Sequence, residues 1–272
     1  MGSIVRITIY APSVDSAKAA FTAAFARIAQ LDDILSDYKA DSELDRVSRE
    51  AHDHPVRVSD DLWRVLVAAQ RISRETGGAF DVTVGPLTHL WREARSQNRI
   101  PDAGAIAVAR AHCGWRNMVL DRQTVYLKLD GMQLDVGGIA KGYAADEAIK
   151  VLRAHGISRA LVACSGDIAA SDAPPGEKGW SIGLESGDPV VLHDRGISTS
   201  GDTEQFVEAG GVRYSHIIDP ATGMGLTTRI EVTVIAHDGM TADAMATAIS
   251  VLGRERGLTY AKRQGVMATI RD

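Results

Sequence analysis

The stretch that most constrains this chain is residues 134–146, LDVGGIAKGYAAD. It begins with the character of a strand and ends with that of a helix. Between the two stand an acid, Asp135, two glycines and Lys141. Paired glycines let the backbone come close to a ligand, because no Cβ intervenes. A helix that starts directly after them offers unpaired N–H groups and the positive end of its dipole to an anion. Lys141 adds a full charge in the first turn, and the combination suits a phosphate. It is neither a Walker A loop, which needs wider glycine spacing and a Lys-Ser/Thr pair, nor a GxGxxG dinucleotide fingerprint. The same residues also fit a tight strand–helix turn with a solvated lysine, and Asp135 fits a turn cap as well as a ligand contact.

With 272 residues, the chain can form one large domain or two small lobes around a sizeable core. A net charge of −5 and 24% charged residues are ordinary for a soluble protein and do not point to nucleic acid or an anionic membrane as the main partner. No apolar run reaches bilayer length. The start, MGSIVRITIY, lacks the basic, apolar and small-residue sections of a signal peptide. The expectation is a cytoplasmic chain as given, or a periplasmic or membrane-anchored one if the N-terminus was trimmed, since MGS is also a common cloning remnant. Cys113 and Cys164 imply no disulfide framework and read as small core residues.

Periodicity predicts a strand over 4–10, then a helix from Asp15 to Leu35 with Phe21, Phe25, Ile28, Leu31 and Leu35 at helical spacing. SDYKADSELDRVSRE reads as a polar loop with a short helical piece. Ser59 caps a helix whose apolar face ends at Gly77-Gly78, and a helical piece over Leu87–Arg95 follows Pro86. Val119–Leu129 reads as a hairpin, RALVACSGDIAA as one short buried strand, KGWSIGLES and RGISTSGD as further strands, and EQFVEAGGVRYSHIID as a hairpin with a Gly-Gly turn. IEVTVIA is another strand, followed by a helix over Thr241–Leu252, a last helix and the strand VMATI. This mixture, often joined by hairpins, predicts an α+β fold. SDAPPGEKG, 171–179, reads as a surface loop.

Other segments carry chemistry. In GMTADAMATAISVLG, Asp243 and Thr247 lie four residues apart on one helix face and offer hard oxygen donors that suit Mg²⁺ better than zinc. From spacing alone, a first-turn acid and a threonine bonded to its own helix fit them better. In HIIDPATG, His216 sits at a strand end, as a base or as a structural histidine. STSGD (198–202) adds hydroxyls and a glycine. In TGGAFDVTVGPLTHLW, Ala79-Phe80-Asp81 follows a double glycine and suits a pocket wall, with Asp81 either addressing a ring edge or capping a helix. Tyr38 is suited to stacking on a flat ring or to a place on the surface.

Seven segments, taken in order, resemble the FAD:protein FMN transferases, the ApbE-like flavin transferases. They are MGSIVRITIY, LSDYKADSELDRVS, TGGAFDVTVGPLTHLW, LDVGGIAKGYAAD, STSGD, YSHIIDPATG and VTVIAHDGMTADAMATAISVLG, and they are spread along nearly the whole chain, from Met1 to Gly253. The resemblance implies a single α+β domain over 1–272 with an ApbE-type core distantly like T-fold proteins. It implies that Asp243 and Thr247 are side-chain ligands of a catalytic Mg²⁺, with Gly138 supplying a backbone carbonyl. Met1, Tyr38, Ala79, Phe80, Asp81, Asp135, Lys141 and Ile218 match positions that contact FAD, and His216 matches a general base, with Lys141 beside it in the catalytic set. The implied reaction is Mg²⁺-dependent transfer of FMN from FAD to a Thr or Ser hydroxyl of an acceptor protein, within a motif like D-x-x-[ST]-[GAS]-[AS]-[ST], releasing AMP. The alternatives are an FAD pyrophosphatase giving FMN and AMP, and a flavin-binding or carrier protein without turnover. Ser165 departs from the family, which more often has a glycine pair there, and this implies a locally different pocket wall.

Overall fold

The computed structural model describes residues 4–184, 188–201 and 205–271. Met1, expected at the flavin, and Asp202, the last residue of STSGD, lie outside the described residues. In chain order the elements are β1 (Val5–Tyr10), α1 (Val14–Leu35), α2 (Glu43–Glu50), β2 (Val56–Arg57), α3 (Asp60–Thr76), α4 (Gly85–Ser96), α5 (Ala103–Ala111), β3 (Met118–Asp121), β4 (Thr124–Leu127), α6 (Ala140–Ala154), β5 (Arg159–Cys164), β6 (Asp167–Ala170), β7 (Trp180–Ile182), β8 (Val190–Leu192), β9 (Arg195–Ser200), β10 (Phe206–Ala209), β11 (Val212–Ser215), β12 (Glu231–Ala236), α7 (Gly239–Gln264) and β13 (Met267–Arg271).

The centre is a six-stranded sheet in the order β1-β5-β6-β9-β12-β13, with every neighbouring pair antiparallel. The period of two in each strand sorts its residues between two cores. Ala160, Val162 and Cys164 of β5 face Ala20, Ala24, Ala145, Ala148 and Leu152 on α1 and α6. Val232, Val234 and Ala236 of β12 join Ala242, Met245 and Ile249 of α7. The opposite face, with Leu161, Ile168, Ile197 and Ile235, is covered by the β7–β8 hairpin through Trp180, Ile182 and Leu192. Beyond the helices, α2, α3 and the small β2-β4-β3 sheet close around Leu44, Leu62, Leu66, Met118 and Leu127, all nearly or fully buried. Each such leucine contributes roughly 1.5–3 kcal/mol, so apolar burial rather than the two-residue strand β2 holds this layer in place. Among the described residues no helix is long and apolar enough to cross a membrane.

Local signals set several boundaries. Ser59 Oγ accepts from Leu62 N at 3.3 Å to start α3, and Gly77 ends it in the left-handed region at φ +67°. The Gly210-Gly211 turn closes the β10–β11 hairpin as expected. Other expectations are corrected. Leu134 and Asp135 form no strand: apart from one parallel bridge between Gln133 and Val84, this stretch spends its N–H groups on Ser48 Oγ and Val82 O. RALVACSGDIAA is two strands, because Ser165, at φ +56°, and Gly166 reverse the chain between Cys164 and Asp167. Ile28, Leu31 and Leu35 of α1 are buried as expected, but the rest of its buried face is Ala20 and Ala24 and Phe25 is 45% exposed, because alanines are what allow α1 to lie close against α6. Helix α5 and the short strand β8 were not expected, although Asp102 signals α5 by accepting from Gly104 N and Ala105 N. The last two helices run together as α7 across a break at Gly253, φ +75°. Cys164 is buried as expected, and Cys113 is half-buried.

Candidate active site

A cleft of about 1160 Å³ runs past the N-terminal ends of α6 and α7. Tyr38, Ala79, Phe80, Asp81, Asp135, Gly138, Lys141, His216, Ile218, Asp243 and Thr247 all line it. Every sequence-predicted site residue among the described ones therefore meets in one place, from positions spread over more than two hundred residues.

At the deep end α6 and α7 touch backbone to backbone. Gly142 N donates to Asp243 Oδ2 at 3.0 Å. A Cβ placed on Gly138 would stand 3.0 Å from Thr247 Oγ1 and 3.4 Å from Phe80 Cε2, so the bare backbone of Gly138 is what lets these groups converge. Lys141 Nζ is ion-paired with Asp167, whose other oxygen accepts from Ser198 Oγ at 2.5 Å. Burial disfavours the Lys141 charge, but Asp243 and Asp167 outweigh it and raise the ammonium above its usual value, so it is a fixed cation. Burial, then the nearby Asp167, pushes the Asp243 carboxyl up to about 7 against the pull of Lys141 and the Gly142 N–H. A buried carboxylate that lacks a full counter-charge is suited to receiving a cation.

The 79–85 segment lies along 133–138 through Asp135 N to Val82 O at 2.8 Å and Gly85 N to Gln133 O at 3.2 Å. Asp81 is committed to holding this turn. Its Oδ1 accepts from Thr83 N and Thr83 Oγ1 and its Oδ2 from Trp115 N, at 2.7–2.9 Å, while burial raises its carboxyl. Any ligand contact at Asp81 shares oxygens that already serve the fold. Asp135 accepts from Gly137 N at 2.8 Å, which makes it a turn aspartate that also faces the cleft.

At the mouth the expected Tyr38 and Asp135 are joined by Asp37, His89 and Arg92, which the sequence did not point to. Tyr38 is 66% exposed, with the Arg92 guanidinium 4.0 Å from its ring centroid. Arg92 donates to Asp37 Oδ2 at 2.6 Å and lies 3.5 Å from Asp135. His89 Nε2 is 3.6 Å from the same Asp37 oxygen. Burial works against the Asp37 charge, but His89 and Arg92 hold its carboxyl below the ordinary range. The Asp37 bond raises the His89 imidazolium above 6.5, against burial and the Arg92 charge. A raised histidine stabilises the fold fully below its unfolded value, and that contribution is lost as pH rises through the folded value. With 38% of the His89 side chain exposed, the contribution is discounted to below about 1 kcal/mol. His89→Asn should therefore lower Tm by about 1–3 °C at pH 5.5 and leave it unchanged at pH 9. An equal loss at both pH values would show that His89 acts through packing instead.

His216, which follows β11, lines the cleft and is exposed, with Nδ1 3.2 Å from Gln205 O. Ile218 is buried against Leu87, Trp91 and Ile106. The turn after it is closed by Gly223 N to Asp219 O at 2.8 Å and by Trp91 Nε1 donating to Gly223 O at 2.8 Å. Asp167, Asp37, His89 and Arg92 all escaped the sequence reading, whereas Ser198 belongs to the STSGD segment singled out for its hydroxyls. A buried lysine demands a counter-ion, and the acid in CSGD was the signal for Asp167. Nothing local marks Arg92.

The donors fit a Mg²⁺ ion. Among the described residues no group of three or more His, Cys, Asp or Glu side chains is placed to hold a metal. Asp243, Thr247 Oγ1 and the nearby Gly138 backbone instead offer one carboxylate and two neutral oxygens. Mg²⁺ commonly takes this kind of site together with substrate phosphates.

The chain matches the ApbE family over residues 1–270. The FAD:protein FMN transferase of Klebsiella pneumoniae (strain 342) is 34% identical over 284 residues, spanning 98% of this chain and 80% of the relative. That of Vibrio cholerae serotype O1 is 33% identical over 275 residues, spanning 96% and 82%. Among solved structures, the flavin transferase ApbE from Vibrio cholerae superposes with a TM-score of 0.89 at 32% identity, covering 99% of this chain and 90% of that one. The ApbE protein of Thermotoga maritima does so with a TM-score of 0.89 at 30% identity, covering 99% and 91%. Sequence and fold agree along almost the full length, and the chain belongs to the ApbE family.

Proposed function

We propose that this chain transfers FMN from FAD to a Thr or Ser hydroxyl of an acceptor protein and releases AMP, using Mg²⁺ held by Asp243, Thr247 and the Gly138 carbonyl. One observation carries the reading: a fixed cation, an under-compensated carboxylate, a hydroxyl and bare glycine backbone converge at the deep end of one large cleft. At about 1160 Å³ the cleft exceeds the roughly 300–1,000 Å³ of common small-molecule pockets, which leaves room for a dinucleotide and an entering loop.

In this reading Lys141, held by Asp167, addresses the pyrophosphate. Tyr38, Ala79, Phe80, Asp81, Asp135 and Ile218 contact the rest of FAD. Bound Mg²⁺ supplies stabilisation of the negative charge that develops as the P–O–P link breaks. The acceptor oxygen bonds to the FMN-side phosphorus, the bond from that phosphorus to the bridging oxygen breaks, and AMP leaves with that oxygen. The acceptor proton passes to His216, whose exposed position at the rim suits an incoming hydroxyl.

A site that spans the pyrophosphate and adenine should prefer FAD to FMN. Calorimetry on the whole chain should give at least about tenfold tighter binding of FAD, roughly 1.4 kcal/mol. Equal affinity for the two would contradict this placement of the flavin.

A further inference from the structure

We propose that Asp146, outside the cleft, is a positioning residue that sets the depth of α7 against α6 and so the approach of Asp243 and Thr247 to Gly138. The inference rests on reading that trio as the metal site.

The first N–H groups of a helix have no acceptor within it. In α7, Gly239 N and Met240 N donate to the two oxygens of Asp146, each at 2.8 Å. The next two, Thr241 N and Ala242 N, go to the side chain and backbone of Asp238. The exchange is reciprocal, because Gly142 N of α6 donates to Asp243 of α7. Each helix thus places a carboxylate on the N-terminal turn of the other.

Between these two bonds the helices meet at glycines. A Cβ on Gly142 would fall 2.1 Å from Gly239 O, and one on Gly239 would fall 2.8 Å from Gly142 O. At this crossing two bare backbones offer no side-chain ridge to resist sliding, so the carboxylates set the register of the two N-terminal turns there. A slip of one residue moves a helix by about 1.5 Å. A working site tolerates only about 0.5 Å. Asp146 itself lines a separate cavity of about 540 Å³, with Tyr143, Lys150, His237 and Asp238. A change at Asp146 therefore reaches the cleft through α7.

The test uses the whole chain and two readouts: Mn²⁺ binding followed by electron paramagnetic resonance, and the Mg²⁺ concentration that half-saturates AMP release from FAD. Asp146→Asn keeps the size and one acceptor. It should weaken Mn²⁺ binding about tenfold, raise the Mg²⁺ requirement in step and lower kcat, with KM for FAD within twofold of wild type. Asp238→Ala removes the neighbouring cap without touching α6, and should lower Tm while Mn²⁺ affinity stays at the wild-type value. If Asp146→Asn loses only thermal stability and binds Mn²⁺ as wild type does, Asp146 is a brace and the inference fails. If wild type itself binds no Mn²⁺, the metal reading fails and takes this inference with it.

Discussion

Asp243→Asn should stop turnover and leave the fold in place. The amide keeps an oxygen for Gly142 N, now accepted by Asp243 Oδ2 at 3.0 Å, but it removes the one charged donor of the proposed metal trio. Losing the charge stabilisation that a bound metal supplies costs several kcal/mol, so kcat should fall by about 10³-fold or more, equivalent to about 4 kcal/mol. Stability should change little. Burial and Asp167 push the Asp243 carboxyl up to about 7, so its ionised form is disfavoured in the metal-free fold. A neutral amide removes that repulsion but also takes one counter-charge from the buried Lys141 ammonium, so the two effects oppose and Tm should stay within a few degrees of wild type. AMP release by Asp243→Asn at the wild-type rate, or wild-type activity persisting in excess chelator, would remove Asp243 from the chemistry.

Gly142→Ala should have the largest effect on stability. The new Cβ would lie 2.1 Å from Gly239 O, 2.5 Å from Gly239 C and 2.9 Å from Asp243 Cβ. Overpacking usually costs about 1–3 kcal/mol, where side chains can shift to make room. Here the obstacle is backbone, anchored at Gly239 N and Met240 N by Asp146. We expect a loss of about 3 kcal/mol or more, seen as a Tm lower by roughly 6–12 °C or as insoluble protein, with activity lost as α7 moves. Gly183→Ala, where a Cβ meets nothing within 4 Å, should change stability by less than about 0.5 kcal/mol. Equal denaturation curves for wild type and Gly142→Ala would show that α6 and α7 do not touch as described.

What could be read from the sequence was local or motif-borne. Ser59 and Gly77 bracket α3 because an N-cap and a left-handed terminator act within a few residues. The pairing of Asp243 with Thr247 follows from helix geometry alone, and the family motifs brought Gly138, Lys141 and His216 to the same place. What could not be read depends on tertiary contact. Asp167 is 26 residues from Lys141 and reaches it only because a Ser165-Gly166 turn folds β6 back on β5. Arg92 meets Asp37 and Tyr38 across 55 and 54 positions, through side-chain contacts from α4 to the segment that follows α1. Leu134 and Asp135 have the pattern of a strand, yet their N–H groups are claimed by Ser48 and Val82, so tertiary bonding overrides local preference. The Phe21–Phe25 stripe misled for a related reason: large apolar residues mark a face, but close helix contact selects alanine.

Whether the cleft delivers FMN to a hydroxyl rather than to water can be read from the intact mass of an acceptor peptide. The peptide should carry the D-x-x-[ST]-[GAS]-[AS]-[ST] motif and be incubated with this protein, FAD and Mg²⁺. The peptide should gain one FMN phosphoester, AMP should appear in equal amount, and AMP release should be slow when the peptide is left out. Equally fast release of AMP and free FMN with and without peptide, and no adduct on the peptide, would contradict transfer to a hydroxyl and make the protein a pyrophosphatase.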